Sequence, residues 1–364
     1  MVVMTTDRAL AIQRLSNQQI LNPVLRQPGD VVEALGALQA QDFAGALWSV
    51  GLRIPGGTAT AIHKAINDRQ VIRTWLLRGT LHLVAPDDVR WILKLVAPHI
   101  IAGSAGRYRQ LGLTGEDFIH SRELFSEELQ GGRQLTRDEL FRSLEKSGIS
   151  PEGQRGYHLL ARAGLEGHIC FGSLRGRQQT FVLLDEWVPE LGRAFEPGEA
   201  LERLAERYFR GHGPATLQDF TWWSGLKVAE AKAGIETAGP LLSRVSYGDK
   251  VYLMGPAPLY TQDDEPNVYL LPGFDEYILG YRDRSAMLDP TLAERTIIGA
   301  NGMMLSTIIV DGSVAGTWKR TPGKKYIVVE PNPFLPFTHA QKRLVTTAAE
   351  RYGAFMGLPV RMKG

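Results

Sequence analysis

A short polar segment, Gln39-Ala40-Gln41-Asp42, follows the apolar stretch from Val31 to Leu38 in this chain of 364 residues. In a helix, residues two apart point to nearly opposite sides, whereas in an extended segment they project to the same side. The two carboxamides therefore share a side only if the helix ends near Leu38. Two neutral amides are poor bases, but they can orient a water molecule for attack on a bond whose leaving group already departs well.

The N-glycosidic bond of an N7-alkylated purine is such a bond. The base carries a positive charge, so it leaves without a general acid, and the sugar becomes cation-like before water adds. Positioning and electrostatic complementarity then supply most of the catalysis. The same segment also fits a structural alternative, in which polar residues at a helix end form hydrogen bonds with the backbone.

Motifs for several other chemistries are missing from the sequence. It contains no His-Glu-x-x-His metal motif, no Walker phosphate loop, no Gly-x-Gly-x-x-Gly motif and no Gly-x-Ser-x-Gly elbow. The single cysteine, Cys170, excludes an intrachain disulfide and a cysteine-rich zinc site. We therefore predict neither a metal nor a cofactor. Because no lysine lies next to the glutamine motif, we also predict no Schiff-base step.

Three times along the chain, helices are followed by a strand-turn-strand hairpin with basic residues, which is the pattern of a winged helix. The first hairpin runs from Val71 to Val84 and turns at Arg78-Gly79, where glycine permits a positive φ. Before it, the amphipathic stretch from Thr58 to Arg69 occupies the place of a recognition helix. The second hairpin turns at Arg175-Gly176-Arg177, and the third turns at Gly248-Asp249.

After Pro256, short β-like runs are separated by glycine, proline and aspartate, and a helix from His339 to Phe355 follows them. The predicted fold class is α+β, with tandem winged-helix domains followed by a small C-terminal β-barrel. The predicted domains are residues 1–130 for the first winged helix with connecting helices, 131–194 for the second, 195–262 for the third, and 263–364 for the barrel with its closing helix.

Composition limits the class of protein but does not identify a partner. With 44% apolar and 22% charged residues, the chain has the composition of an ordinary globular protein. A net charge of +2 is too small to establish phosphate binding, so only local clusters of basic residues can support it. No basic leader with an apolar core and no membrane-length apolar run occurs, so we predict a cytoplasmic protein without a membrane anchor.

Basic residues on and near the hairpins are the candidates for DNA contacts, although they also fit as ordinary polar groups of strands. The stretch from Phe274 to Arg284 mixes acidic, aromatic and basic groups. Pairing of its acids, Asp275 or Glu276, with Arg282 or Arg284 would form a structural network. Tryptophans 222 and 223 are predicted to be core rather than a stacking platform. The candidate DNA-binding residues are Arg73, Arg78, His82, Arg282, Arg284, Lys319, Arg320 and Lys324.

Four segments together resemble the AlkZ-like winged-helix DNA glycosylases, and the likeness covers nearly the whole chain. They are Gln39 to Gln41, Thr74 to Val84, Leu270 to Arg284 and Val310 to Lys319. The resemblance implies tandem winged helices with a C-terminal β-barrel, duplex DNA bound in a concave basic cleft, and excision of alkylated bases, including those in interstrand crosslinks.

The family motif is Gln, an apolar residue, then Gln. The resemblance therefore implies that Gln39 and Gln41 hold the nucleophilic water and stabilise the developing sugar cation. A related branch has Asp in place of the second Gln, and this chain does not. Asp42, the next residue, is expected either to give electrostatic support or to cap a helix.

The predicted function is that of a monofunctional DNA glycosylase acting on N7-alkylpurines, with crosslink unhooking as a further possibility. The predicted partner is double-stranded DNA carrying alkylated bases, and the chain is expected to act as a monomer. One alternative is a non-catalytic winged-helix DNA-binding protein or regulator, in which both glutamines only support structure. Another is a small-molecule hydrolase, which would be active without DNA and whose binding would be insensitive to salt.

Overall fold

The computed structural model describes residues 2–4, 6–188, 195–257, 260, 266–298 and 302–363. The α-helices in these ranges are α1 (Asp7–Asn17), α2 (Pro28–Leu35), α3 (Phe43–Gly51), α4 (Ala59–Asn67), α5 (Pro86–Gln110), α6 (Gly115–Leu129), α7 (Arg137–Lys146), α8 (Arg155–Leu165), α9 (Leu184–Trp187), α10 (Pro197–His212), α11 (Leu217–Ser224), α12 (Val228–Ala238), α13 (Glu276–Leu279) and α14 (His339–Met356). Short 3₁₀ segments cover Leu77–Gly79, Gly239–Leu241 and Pro290–Arg295.

The β-strands in the same ranges form four sheets. They are β1 (Val2–Val3), β2 (Leu38–Gln39), β3 (Ile72–Trp75), β4 (Leu81–Val84), β5 (Leu135–Thr136), β6 (Ile169–Phe171), β7 (Thr180–Leu183), β8 (Ser243–Tyr247), β9 (Lys250–Met254), β10 (Val268–Leu271), β11 (Ile297–Ile298), β12 (Met303–Met304), β13 (Thr307–Val310), β14 (Ser313–Pro322), β15 (Ile327–Pro333) and β16 (Val360–Met362). The α+β class is confirmed.

One six-stranded sheet joins the first two predicted hairpins, in the order β2-β4-β3-β6-β7-β5. Strands β3 and β4 form the hairpin predicted between Val71 and Val84. Strand β2 pairs antiparallel with β4, so that Gln39 lies opposite His82. The second hairpin, β6 and β7, joins the first where Arg73 pairs with Phe171. The two hairpins thus share one sheet, and the strand carrying Gln39 is at its edge.

Helix α2 ends early enough to leave the glutamine motif extended. Proline at its first position suits a helix start, because the missing N–H would have no partner within the helix. Its buried face consists of Val31, Val32 and Leu35. The helix ends at Leu35, where Gly36 follows with φ of 77°, a conformation that favours glycine. The condition for the two carboxamides to share a side, a helix that ends before the motif, is therefore met.

The third predicted hairpin forms β8 and β9, and β1 adds to it in parallel. The C-terminal sheet has the order β10-β13-β14-β15-β16. Among the described residues its end strands β10 and β16 are not paired with each other, so the strands form an open, curled sheet where a closed barrel was predicted. Helix α14 connects this sheet to α3, because Tyr352 packs on both Trp48 and Trp318.

Two apolar clusters support this arrangement. The larger contains buried residues from Met4 to Phe355 and unites the glutamine segment, the third hairpin and the C-terminal sheet. The smaller surrounds Trp75, Phe125 and Phe181 beneath the second hairpin. Within the described ranges, no helix has the length and apolarity required to cross a membrane.

Candidate active site and nucleic-acid interface

The glutamine motif lies along the edge of the six-stranded sheet. Ala40 is fully buried, Gln39 is 9% exposed and Gln41 is exposed. The Ala40 N–H donates to the Leu81 carbonyl at 2.7 Å, which continues the pairing of β2 with β4. The strand itself ends at Gln39, and the contacts of the first hairpin show where both carboxamides point.

Both carboxamide oxygens accept long hydrogen bonds from the first hairpin. Arg78 donates from Nη2 to Oε1 of Gln39, and the Leu81 N–H donates to Oε1 of Gln41, each at 3.4 Å. Bonds of this length are weak, and each carbonyl oxygen has a second lone pair. The two side chains therefore retain the capacity to accept hydrogen bonds from a water molecule.

Glu276 places a buried carboxylate behind Gln39. Its Oε1 accepts the Gln39 N–H at 3.0 Å, and its Oε2 accepts Nε1–H of Trp223 at 3.0 Å. Oε2 also lies 3.3 Å from Nε2 of His212. Burial pushes the pKa of Glu276 upward, but the hydrogen bond and charge of His212, with the Gln39 N–H, outweigh it and lower the pKa. The strand of the motif is thus anchored to a fixed negative charge.

His82, opposite Gln39, is buried and neutral. Its Nδ1 lies 3.0 Å from the Thr80 carbonyl, which can only accept, so Nδ1 carries the proton. Burial, reinforced by the charge of Arg78, lowers the pKa of His82 to about 4. Nε2 is buried without a hydrogen-bond partner in the described part of the chain. A neutral, enclosed imidazole is not the phosphate-binding cation that the sequence suggested.

Arg78 turns back into the protein from the tip of the first hairpin. It has φ of 56°, an uncommon conformation for a residue with a Cβ. Its Nη1 donates to the carbonyls of Trp222 and Trp223, while Nη2 reaches Gln39. Burial lowers the pKa of Arg78, and the charge of Glu276 opposes that shift. The guanidinium therefore positions Gln39 rather than extending toward a phosphate.

Arg73 is also committed to the interior. Its guanidinium lies between the rings of Phe43 and Phe171, 4.8 and 4.5 Å from their centres, and donates from Nη2 to the Ala40 carbonyl at 2.9 Å. Burial lowers the pKa of Arg73 to about 10, opposed by the charge of Asp42. Because the side chain is buried, its structural role is to hold the middle residue of the motif, which replaces the predicted phosphate contact.

Asp42 occupies the N-cap position of α3, but its side chain makes no capping hydrogen bond. Its Oδ2 instead accepts from Nη2 of Arg320 at 3.0 Å. A Cβ added at Gly45 would lie 2.6 Å from Oδ2, so glycine leaves room for this ion pair. Asp42 and Arg320 thereby connect the end of the motif to the C-terminal sheet.

The remaining candidates differ in exposure. Arg284 is half-buried and donates from Nε to the Ile278 carbonyl at 2.7 Å. Arg282, Lys319 and Lys324 are exposed. Of the eight predicted DNA-binding residues, these last three are the most open to a phosphate.

Asp275 and Glu276 do not pair with Arg282 or Arg284, so that prediction is wrong. Asp275 binds Arg53, with Nη2 to Oδ1 at 2.8 Å and Nη1 to Oδ2 at 2.9 Å. Sequence reasoning missed the partners of both acids, namely Arg53, His212 and Trp223. All three lie far along the chain from residue 275, and no local pattern signals the contacts.

Comparison with known proteins identifies the family. The sequence model of the family described as "DNA glycosylase AlkZ-like" matches residues 32–355. The chain belongs to the AlkZ-like DNA glycosylase family. An AlkZ-like relative, the interstrand DNA cross-link repair glycosylase of Streptomyces sahachiroi, is 28% identical over 367 residues, covering 95% of this chain and 96% of that protein.

A solved structure supports the same assignment. The DNA glycosylase AlkZ of Streptomyces sahachiroi aligns with a TM-score of 0.81 and 26% identity, covering 98% of this chain and 99% of that one. As an AlkZ-like DNA glycosylase, the chain is an enzyme of DNA repair that hydrolyses N-glycosyl bonds.

Proposed function

We propose that this glycosylase excises cationic N7-alkylated purines from double-stranded DNA, with Gln39 and Gln41 holding the attacking water. The observation that carries the proposal is the extended motif at the sheet edge. Gln39 is nearly buried and its backbone N–H binds the Glu276 anion, whereas Gln41 is exposed to an approaching substrate. In this proposal one water contacts both amides.

In the proposed reaction, the bond between C1′ and the alkylated base breaks first, and its electrons neutralise the positive charge of the base. The sugar then carries the positive charge. The water held by Gln39 and Gln41 adds its oxygen to C1′ and loses a proton to solvent. Glu276 opposes the charge of Arg78 and so makes the site more favourable for a cation. The products are a free base and an abasic site, without a covalent enzyme intermediate.

Electrostatics support the choice of duplex DNA as the partner. Exposed Arg282, Lys319 and Lys324 are available to contact phosphates, which would position the duplex without reading its sequence. We propose that the helices and hairpins act as tandem winged helices and that a cytoplasmic monomer is the active form. The Streptomyces relative is an interstrand DNA cross-link repair glycosylase, which supports extending the proposed substrate range to interstrand crosslinks.

Incubation with a duplex containing a single N7-methylguanine tests the function. We expect release of free N7-methylguanine, detected by chromatography, and an intact strand that breaks only after alkali. Binding of the duplex without base release would favour the non-catalytic DNA-binding alternative. Hydrolysis of a small nucleoside without DNA, with binding insensitive to salt, would favour the small-molecule hydrolase.

A further inference from the structure

Trp222 is the solvent-accessible tryptophan of this chain. All seven tryptophans lie in the described ranges; Trp222 is 42% exposed, and the other six are at most 7% exposed. Its neighbour Trp223 is fully buried with its indole N–H on Glu276. The predicted core role is therefore confirmed for Trp223 and wrong for Trp222.

The Trp222 ring is fixed close to the glutamine motif. Its Nε1–H donates to the Leu279 carbonyl at 3.2 Å, which limits rotation of the indole. Arg78 connects the backbone of Trp222 with the motif, because one guanidinium donates from Nη1 to the Trp222 carbonyl and from Nη2 to the Gln39 carboxamide. The ring itself is held at the end of α13, the helix whose Glu276 binds the Gln39 N–H.

One cation lies beside the ring. The Arg284 guanidinium carbon is 5.5 Å from the centre of the Trp222 ring. Burial is the largest cause that lowers the pKa of Arg284; the charge of Asp219 opposes this shift and the charge of Arg78 adds to it. The Arg284 guanidinium favours an approaching phosphate backbone. The exposed part of the indole is then available to a base of the same strand.

We propose that Trp222 is the stacking platform for the alkylated purine whose glycosidic bond lies at Gln39 and Gln41; this inference rests on the proposed function. Base stacking on an aromatic side chain tolerates any base, because every base has a π face. A positively charged purine gains an additional attraction to the indole face. The Arg284 guanidinium beside the ring opposes the same charge, so we assign to Trp222 the stacking of the lesion base and not selectivity for its charge.

Tryptophan fluorescence tests the contact directly, since the other six indoles are buried. The lesion duplex carries N7-methylguanine on a 2′-fluoro sugar, which slows base loss and keeps the substrate intact. We expect this duplex to quench the emission of the wild-type protein, whereas an undamaged duplex does not. Trp222→Phe should bind the lesion duplex, measured by anisotropy, without the change in emission.

A third duplex distinguishes the lesion from the base opposite it. It carries a tetrahydrofuran abasic analogue opposite cytosine and so has no alkylated base. We expect no quenching with this duplex. Equal quenching by the abasic and lesion duplexes would show that the opposite base stacks on Trp222 and would overturn the assignment.

Kinetics provide a second measurement. We expect Trp222→Ala to raise the concentration of lesion duplex required for half-maximal single-turnover excision by about tenfold, and Trp222→Phe to restore most of it. Binding of undamaged duplex by Trp222→Ala should stay within about twofold of wild type. If Trp222 contacted a phosphate instead, its loss would weaken binding of both duplexes alike. Tyr157→Ala, at a residue that is also 42% exposed, is the matched control.

Two outcomes separate this inference from the proposed function. If the wild-type protein releases no N7-methylguanine, the proposed function fails whatever Trp222 does. If it excises the base while its emission is unchanged and Trp222→Ala behaves like wild type, only the stacking platform is overturned.

Discussion

Asp275 and Glu276 are adjacent buried acids with different surroundings. The Asp275 carboxylate binds both terminal nitrogens of Arg53 and accepts the Ser49 hydroxyl at 2.7 Å. Arg53 uses its remaining donors on the Gln18 carbonyl and carboxamide and on Ser49. Around Glu276, by contrast, Nδ1 of His212 and Nε2 of nearby His82 have no hydrogen-bond partner in the described chain.

This difference separates a structural pair from a candidate functional network. Buried polar groups are normally satisfied, so the exceptions require an explanation. Such atoms also occur at Thr307 and Trp187, and the case for function at the two histidines rests on their position beside Gln39 and Glu276. Asp275, through Ser49 and Arg53, connects α3 to the C-terminal segment. Glu276 lies behind Gln39, where the proposed substrate would arrive.

The largest expected effect is on stability at the Asp275 side. Arg53→Ala leaves a buried carboxylate unpaired, so we expect the free energy of unfolding to fall by about 3–5 kcal/mol in urea denaturation. Excision per folded molecule should be nearly unchanged. Lys64→Ala is the control, because Lys64 is 72% exposed and its pair with Asp68 should contribute less than about 1 kcal/mol. Equal losses for both variants would contradict a structural role for the buried pair.

Acidification should destabilise the protein through His82. In the unfolded chain its pKa is near 6.5, whereas burial in the folded protein lowers it to about 4. Between these values the unfolded state binds more protons, so the free energy of unfolding should fall by on the order of 3 kcal/mol as the pH decreases from about 6.5 to 4.

His82→Asn should remove this part of the pH dependence, measured by urea unfolding at several pH values. His120→Asn, at an exposed position, is the control and should retain the wild-type slope. An unchanged slope in His82→Asn would show that His82 is not the buried neutral imidazole described here.

Glu276→Gln should reduce the rate of excision by about tenfold, because the site loses its negative charge while Arg78 remains. The introduced amide can still accept the Gln39 N–H, but its NH₂ group faces the indole N–H of Trp223. We therefore expect a stability loss of about 1–3 kcal/mol, smaller than that of Arg53→Ala. A wild-type single-turnover rate in the folded variant would remove Glu276 from the functional network.

Asp42→Asn should have the smallest effect. The ion pair with Arg320 is partly exposed, so its loss should lower the free energy of unfolding by less than about 1 kcal/mol. The excision rate should stay within about threefold of wild type. The Asp42 side chain makes no capping hydrogen bond to α3, so its replacement removes none. A loss of a hundredfold in single-turnover rate would instead give Asp42 a direct role in catalysis.

Local signals predicted much of the fold. The hairpin turn at Arg78-Gly79 could be predicted because glycine marks a position where positive φ is easy. In the structure both residues of the turn have positive φ, 56° and 75°. The joining of two hairpins into one sheet depends on contacts between β3 and β6, which no local pattern encodes.

The site was predictable in its motif but not in its surroundings. Spacing alone indicated where Gln39 and Gln41 could share a side. Whether a basic residue points outward depends on tertiary packing. Arg73 and Arg78 were therefore assigned to DNA, although Arg73 is buried and the guanidinium of half-buried Arg78 turns back to Gln39 and the Trp222 carbonyl. The exposure of Trp222 and Trp223 could not be predicted from sequence either. Neighbouring helical residues differ in direction by about 100°, so one of the two can be buried while the other is exposed.

Single-turnover excision of N7-methylguanine by Gln39→Ala and Gln41→Ala tests the central claim most directly, with Arg53→Ala assayed under conditions where it is folded. We expect the excision rate of each glutamine variant to fall by about 10²–10³, which is the size of effect for removing one group that stabilises a transition state. The free energy of unfolding of each variant should change little. Arg53→Ala should show the opposite behaviour, with a near wild-type rate and reduced stability. Wild-type rates in both glutamine variants would contradict the account.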